Sequence, residues 1–320
     1  MMTHFIIGIE STYLSKEDIF RLTNPQVIGV ILFKRNYENS LQLKNLTHQI
    51  KRLRHDLIIS VDHEGGRVQR FQGDGFSTLA PPFSLQNSTQ ADIKNHASIL
   101  ASELKAHGVD LSFTPVVDLY NPNSRVIAKR AFSDDPQEVI DIAQSYIQTL
   151  HKHGMPSVLK HFPGHGLIQE DSHLEVACSN QNLKDLEQTE LKPFITLINN
   201  KLADSVMVGH IQFPRIDQTI ASMSRFWLTD YLRGKLGFNG IIFSDDMGMF
   251  AATNASKSTF DACQKFFEAG GDIAIIGNDF SGIDSTLAKL KQKPQSDESI
   301  FNQRWQKFTQ HLTNETGSLQ

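Results

Sequence analysis

The richest group of potentially reactive side chains lies between positions 160 and 173. One lysine, three histidines and one aspartate fall within this segment: Lys160, His161, His165, Asp171 and His173. Pro163, Gly164 and Gly166 argue against a helix here, so we predict a mobile loop that leaves a strand. These residue types suit either acid–base catalysis or metal binding.

Two observations favour acid–base catalysis in this loop. Pro163-Gly164 interrupts any helical His-x-x-x-His pair, and the first predicted strand ends in Glu10-Ser11-Thr12. Metal-dependent barrel hydrolases typically carry His-x-His at that strand end instead. We therefore expect no metal and no cofactor. A purely structural loop stays open as an alternative, as does a metal site with the ligands His161, His165, Asp171 and His173.

A pair of carboxylates follows another apolar run. Asp245 and Asp246 end a segment that begins at Gly240. Successive strand residues point to opposite faces, so one carboxylate can face a site while the other turns toward a neighbouring element. Helix capping also explains many such pairs.

A third charged segment, 61–71, follows a predicted strand. Gly65 and Gly66 permit a sharp turn that returns Arg70 toward Asp62. A carboxylate beside a guanidinium suits the binding of vicinal hydroxyl groups, because one accepts and the other donates hydrogen bonds. A surface salt bridge is the alternative interpretation.

Eight apolar runs alternate with amphipathic segments along the chain. The predicted strands are His4–Glu10, Val27–Phe33, Leu57–Asp62, Leu111–Val117, Pro156–His161, Asp204–His210, Gly240–Asp245 and Asp272–Gly277. The predicted helices cover 41–54, 90–107, 136–152, 183–200, 224–236, 256–269 and 297–312, with one short helix within 11–24. This alternation indicates βαβ units and a parallel sheet.

Eight strands favour an α/β fold of the (β/α)8 TIM-barrel type, formed by residues 1–320 as a single domain. Ionisable residues cluster where the predicted strands end, which is where such barrels carry their active sites: Asp62, Asp118, Lys160, His161, His210, Asp245 and Asp246. An open doubly wound sheet is the competing architecture, but no G-x-G-x-x-G follows any predicted strand.

Composition narrows the classes of partner. The 320 residues are 39% hydrophobic and 21% charged, with a net charge of -4, which suits a globular chain without a nucleic-acid partner. The two cysteines, Cys178 and Cys263, are too few for a disulfide framework. No run approaches the ~18 apolar residues of a membrane span. We expect a cytoplasmic protein without a membrane partner.

Five motifs together resemble the bacterial β-N-acetylhexosaminidases of glycoside hydrolase family 3, the single-domain type that acts in peptidoglycan recycling. They are Val-Asp-His-Glu-Gly-Gly-Arg-Val-Gln-Arg-Phe at 61–71, Arg-Val-Ile-Ala-Lys-Arg-Ala-Phe at 125–132, Lys-His-Phe-Pro-Gly-His-Gly at 160–166, Asp-Ser-His at 171–173 and Phe-Ser-Asp-Asp-Met at 243–247. The Asp-x-His element distinguishes this type from family 3 β-glucosidases. His63 stands where the family usually has Gln.

The resemblance implies a role for each matching residue. Asp245 is the nucleophile, and His173 is the acid/base, oriented by Asp171. The sugar-binding residues are Asp62, Arg70, Arg130, Lys160 and His161, with His210 as a further lining residue. The implied enzyme is an exo-acting, retaining β-N-acetylglucosaminidase that acts on a small carbohydrate, N-acetylglucosamine-containing muropeptides. A broader β-glycosidase, a glycoside phosphorylase and an inactive sugar-binding barrel remain as alternatives.

Overall fold

The computed structural model describes residues 3–168, 177–290 and 299–313. The predicted catalytic residues Asp171 and His173 lie outside these ranges. Eight parallel strands form the central sheet, numbered here in chain order: β1 His4–Gly8, β2 Val27–Leu32, β3 Ile58–Val61, β4 Leu111–Ser112, β5 Val158–Phe162, β6 Ser205–Val208, β7 Ile241–Asp246 and β8 Ile273–Ile276.

The strands follow one another around the sheet in chain order. The hydrogen-bonded order is β4-β3-β2-β1-β8-β7-β6-β5, so β1 lies between β2 and β8. The ends β4 and β5 meet through the segment after β4, where the Val158 amide donates to the Thr114 carbonyl at 2.8 Å and the Val117 amide to the Lys160 carbonyl at 3.0 Å. These bonds close the sheet, and the predicted (β/α)8 barrel is confirmed.

Helices surround the sheet at nearly all the predicted places. They are α1 Lys16–Leu22, α2 Ser40–Leu53, α3 Gln90–Ala106, α4 Pro136–Lys152, α5 Leu183–Gln188, α6 Leu191–Asn199, α7 Phe250–Asn254, α8 Thr259–Ala269, α9 Phe280–Lys289 and α10 Ser299–Thr313. A π-helix covers Phe226–Lys235. Polar caps start several of them. In α3, the Thr89 hydroxyl accepts from the Asp92 amide while the Asp92 side chain accepts from the Thr89 amide.

Two apolar layers hold the barrel together. Alternate strand residues such as Ile7 and Val30 pack outward under the helices, while Ile6, Phe113 and Phe243 belong to a separate cluster inside the sheet. Phe308 of α10 joins the inner cluster, with its ring centroid 5.7 Å from that of Phe243. The last described helix therefore covers the amino-terminal end of the barrel and leaves the opposite end for a site.

Within the ranges that the structure describes, no helix combines the length and the apolar character needed to cross a membrane.

Candidate active site

A cavity of about 780 Å³ opens at the carboxyl ends of the strands. Six residues predicted from the sequence lie on its wall: Asp62, Arg70, Arg130, Lys160, His161 and Asp245. Apolar side chains complete part of the wall, among them Ile31, Met207, Met249, Phe250 and Ile275. The cavity thus combines charged hydrogen-bonding groups with apolar surface, as small-molecule sites commonly do.

A chain of ion pairs runs along one side of this cavity. The Lys160 ammonium contacts Asp62 Oδ1 at 2.8 Å and Glu64 Oε1 at 2.6 Å. Arg130 donates one hydrogen bond to each carboxylate oxygen of Glu64, both at 2.8 Å. Burial alone would raise the pKa of Glu64, but Arg130 and Lys160 outweigh it and hold that pKa far below its usual value. Glu64 is therefore a carboxylate that fixes two cations.

Asp62 belongs to the same series of ion pairs and lies at the start of the turn after β3. Gly65 and Gly66 adopt φ values of 104° and 57°. The turn returns the chain so that Arg70 Nη2 lies 3.7 Å from Asp62 Oδ2, and the predicted approach of Arg70 to Asp62 is confirmed. Burial would raise the pKa of Asp62, but the charges of Lys160 and Arg70 keep it below its ordinary value.

His161 is held at the end of β5 by Asp118. Its Nδ1 lies 2.7 Å from Asp118 Oδ2, and Arg130 Nη2 lies 3.4 Å from its Nε2. Arginine can only donate, so Nε2 is the accepting nitrogen and Nδ1 carries the proton. Burial would raise the pKa of Asp118, but His161 lowers it. The imidazole is thereby fixed in one orientation at the cavity wall.

The carboxylates at the end of β7 have different surroundings. Asp246 Oδ1 accepts from the amides of Gly248 at 2.9 Å and Gly277 at 3.0 Å, while burial raises the pKa of its carboxyl. The Asp246 amide in turn donates to Asp245 Oδ1 at 2.8 Å. Asp246 thus ties β7 to the segment after β8. Both carboxylates line the cavity, and the role of Asp245 as the group that acts on a ligand stays a prediction.

His210 lies behind this strand end. It is fully buried, with Nε2 3.0 Å from the Asp246 carbonyl oxygen and Nδ1 2.7 Å from the Ser222 hydroxyl. The described residues that line the cavity do not include it. This placement supports a role in positioning β7, and direct contact of His210 with a substrate stays a prediction.

The described part of the predicted loop, 162–168, is closely packed. A Cβ atom on Gly164 would lie 2.4 Å from Glu190 Cβ, and one on Gly166 would lie 1.9 Å from the Leu119 carbonyl oxygen. The predicted mobility of the loop stays a prediction, and the structure adds a steric reason for the two glycines. The glycines are needed because neighbouring atoms leave no room for a side chain.

Glu64 and Asp118 hold side chains of the cavity wall, and neither receives a role from the sequence. Asp118 was recognised only as a strand-end carboxylate. Glu64 lies two positions after Asp62, a spacing that places both on one face of an extended segment. That spacing was the available signal, but it does not reveal which cations the two carboxylates bind.

One cluster with the composition of a metal site lies at the opposite end of the barrel. Among the described residues, His151, Asp204 and His311 have ligand atoms within 4.8 Å of one another. The Nε2 atoms of His151 and His311 lie 2.6 and 3.2 Å from the Asp204 carboxylate, so the three groups already pair with one another. The expectation that the active site uses no metal stays a prediction.

Comparisons with known proteins agree with this architecture. Residues 10–310 match the family model described as "Glycosyl hydrolase family 3 N terminal domain". A β-hexosaminidase of Hydrogenovibrio crunogenus is 43% identical over 293 residues, which cover 89% of this chain and 81% of the relative. A β-hexosaminidase of Tolumonas auensis is 40% identical, over 96% of this chain and 94% of the relative.

Solved structures give the same result. The crystal structure of native NagZ from Neisseria gonorrhoeae has a TM-score of 0.86 at 34% identity, with coverage of 99% of this chain and 94% of that one. The same protein in complex with N-trifluoroacetyl-D-glucosamine has a TM-score of 0.87 at 34% identity, with the same coverage. The chain therefore belongs to glycosyl hydrolase family 3, as a glycoside hydrolase of the β-hexosaminidase type.

Proposed function

We propose that the chain is an exo-acting, retaining β-N-acetylglucosaminidase. Its substrates are peptidoglycan fragments in the cytoplasm, anhydro-muropeptides that carry a terminal β-1,4-linked N-acetylglucosamine, and residues 1–320 act as one catalytic domain. The observation that carries the proposal is Asp245 on the wall of a cavity that also presents the ion-paired side chains of Asp62, Lys160 and Arg130. The Neisseria gonorrhoeae relative, solved with an N-acylglucosamine derivative, supports the sugar class.

The binding roles follow from the contacts. Asp62 offers carboxylate oxygens as acceptors, while Arg70, Arg130 and Lys160 offer donors, so together they suit the hydroxyl and acetamido groups of one sugar. Because Asp62 and Arg70 come from one turn, they would enclose the non-reducing end and allow only terminal residues to bind. His161 adds a fixed imidazole to the same wall.

The reaction proceeds in two displacements. Asp245 attacks C1 of the sugar as the glycosidic C1–O bond breaks, and His173 donates a proton to the departing oxygen. Water then attacks C1, His173 takes the proton from that water, and the bond between C1 and Asp245 breaks. Asp171 orients His173. The roles of these last two residues rest on the sequence resemblance, since both lie outside the described ranges.

The test compares an aryl β-N-acetylglucosaminide with the matching aryl β-glucoside, each with and without phosphate. We expect hydrolysis of the first at a kcat/KM roughly 100-fold or more above that of the second, unchanged by phosphate. Faster cleavage of the glucoside, or release of a sugar 1-phosphate, would contradict the proposal.

The exo mode is tested separately with chitopentaose. The first products should be free N-acetylglucosamine and the tetrasaccharide. N-acetylglucosaminyl-anhydro-muropeptides should give free N-acetylglucosamine and the anhydro-N-acetylmuramyl peptide. Early release of the disaccharide and the trisaccharide from chitopentaose would show that the pocket is open at the non-reducing end.

A further inference from the structure

Glu190 is a buried carboxyl group that none of the roles above uses. It lies between α5 and α6 and is only 1% exposed. A carboxyl group removed from water in this way needs hydrogen-bond partners inside the protein. Those partners belong to the loops that follow β4 and β5.

The contacts of Glu190 are with backbone amides. Its Oε1 accepts from the Leu167 amide at 2.6 Å, and the Gly166 amide also donates to its carboxylate. A longer contact of 3.5 Å joins Oε2 to the Leu119 amide. Gly164 lies against the same side chain, since a Cβ there would come within 2.4 Å of Glu190 Cβ. Glu190 therefore holds residues 164–167 by hydrogen bonds and by shape.

Asp118 holds the preceding part of this loop in the same manner. Its carboxylate accepts from the amides of His161 at 3.1 Å and His165 at 2.9 Å. Asp118 and Glu190 lie close enough to interact: burial and the Asp118 charge raise the pKa of Glu190, while the hydrogen bonds from the Leu167, Leu119 and Gly166 amides favour its carboxylate form. Two acidic side chains thus bind consecutive amides of one loop, and Asp118 also fixes the His161 imidazole.

We propose that Glu190 is a positioning residue for glycoside cleavage. It fixes the backbone of residues 164–167 relative to Asp118 and to the sugar-binding wall, and so sets the starting point of the segment that leads to His173. This inference rests on the proposed function, because it assigns proton donation to a residue of that segment. Glu190 itself touches no substrate, and its effect passes through the loop.

The test uses Glu190→Ala, Glu190→Gln and the control Glu187→Gln. Glu187 is a carboxylate of the neighbouring helix α5 that pairs with Tyr231 and Lys235. Kinetics are measured on N-acetylglucosaminides with a good leaving group, dinitrophenol, and with a poor one, such as methanol or a second sugar. The dinitrophenyl substrate depends little on proton donation, so it separates placement of the acid from a general loss of active enzyme.

For Glu190→Ala we expect kcat on the poor leaving group to fall about 100-fold, the scale of a misplacement of about 1 Å. On the dinitrophenyl substrate, the rate of the first step should fall less than about 5-fold, with KM nearly unchanged. Glu190→Gln keeps one acceptor oxygen but places an NH2 group toward amide donors, so its loss should be intermediate. Glu187→Gln should match the parent enzyme.

Equal losses on both substrates, or parent-like kcat in the alanine variant, would overturn the positioning role. If Glu190→Ala does not fold, Glu190→Gln decides alone: leaving-group-dependent loss supports the role, and parent-like or uniform kinetics overturns it. Failure of the proposed function is recognised separately, since His173→Ala would then show equal losses across leaving groups in an otherwise intact enzyme.

Discussion

Glu64 is shared by two cations, and that sharing determines how the sugar-binding residues are held. Arg130 and Lys160 both contact Glu64, while Lys160 and Arg70 both contact Asp62. Each cation is therefore held before a ligand arrives, because moving one would remove a charged partner from at least one of the two carboxylates. A sugar that enters this pocket needs to order few protein side chains, which lowers the entropic cost of binding.

The nucleophile is the residue whose identity can be tested most directly. We predict that Asp245→Asn loses nearly all turnover, by a factor of about 10⁴ or more, yet still binds N-acetylglucosamine. The amide cannot attack C1, but the ion pairs that hold the opposite wall are unchanged. Turnover on an aryl substrate and binding of the sugar, by calorimetry, measure the two effects.

Asp246 provides the matched control for this assignment. A 2-fluoro glycosyl donor should label one residue of the parent enzyme, and peptide mass spectrometry should locate the sugar on Asp245. Asp246→Asn should still be labelled, although more slowly, because Asp246 positions the strand end through Gly248 and Gly277. A sugar found on Asp246, or no label at all, would reject Asp245 as nucleophile.

At the scale of single elements, the apolar pattern predicts the strands well and the loops less well. Seven of the expected strands overlap the observed ones closely, but Leu111–Val117 is regular only at Leu111–Ser112. Pro115 has no amide hydrogen for the ladder. The segment nevertheless runs beside β5 and closes the barrel through its remaining hydrogen bonds.

The expected helix 183–200 is two helices, and the reason is local. The helical conformation is interrupted at Thr189–Glu190. Helix α6 begins at Leu191 and has Pro193 in its first turn, a place that proline tolerates. Helix α9 was not predicted, because Gly282 and several small polar residues within Phe280–Lys289 weaken its helical pattern. Periodicity identifies element type, while such breaks depend on tertiary contacts.

Helix α10 gives an element-scale prediction about the amino-terminal end of the barrel. Asp204, just before β6, joins His151 of α4 to His311 of α10 and also accepts from the Ser157 amide at 2.8 Å. We predict that Asp204→Asn lowers the free energy of unfolding at neutral pH by about 2 kcal/mol, since the partly buried carboxylate that joins both imidazoles and the Ser157 amide loses its charge. Chemical denaturation measures this change.

The kinetic constants of Asp204→Asn below its unfolding transition should equal those of the parent, because the cluster lies at the end of the barrel away from the cavity. Asp56→Asn is the matched control. That aspartate is half exposed and pairs with Arg54, so its replacement should change stability by less than about 0.5 kcal/mol. Loss of activity without loss of stability in Asp204→Asn would contradict this separation of roles.

For the whole molecule, the binding residues lie at one end of the barrel and the closing helix at the other. The sequence predicts the binding residues at the strand ends and a helix at 297–312, but it does not predict where that helix packs. It could not place the pairing of Glu64, Asp118 and Glu190, since each of these carboxylates binds groups that are distant in sequence. Which groups each carboxylate contacts depends on how the strands and loops come together when the barrel closes.

Buried neutral histidines give a prediction for the stability of the whole chain. Burial, together with the charge of Arg70, lowers the pKa of His63 to about 3. An unfolded histidine titrates near 6.5. Between these two values the unfolded state binds more protons, so the free energy of unfolding falls as the pH is lowered from about 6.5 toward 3.

We therefore predict that the free energy of unfolding falls between pH 7 and pH 4.5 by about 2 kcal/mol less in His63→Gln than in the parent. Denaturant titrations at the two pH values measure this difference, and contributions from other groups cancel in the comparison with the parent. The exposed His48 serves as control, and His48→Gln should leave the pH dependence unchanged. An equally steep acid loss in His63→Gln would mean that His63 is already charged in the folded protein.

The glycines of the loop after β5 bear on how freely this protein can diversify. Surface loops usually accept substitutions and insertions more readily than the elements that they join. Segment 162–168 differs, because Gly164 and Gly166 have no space for a methyl group and the amides of residues 165–167 are committed to two buried carboxylates. In evolution this loop should accept as few substitutions as the core does. Substitutions that change substrate preference should therefore occur in other parts of the cavity rim.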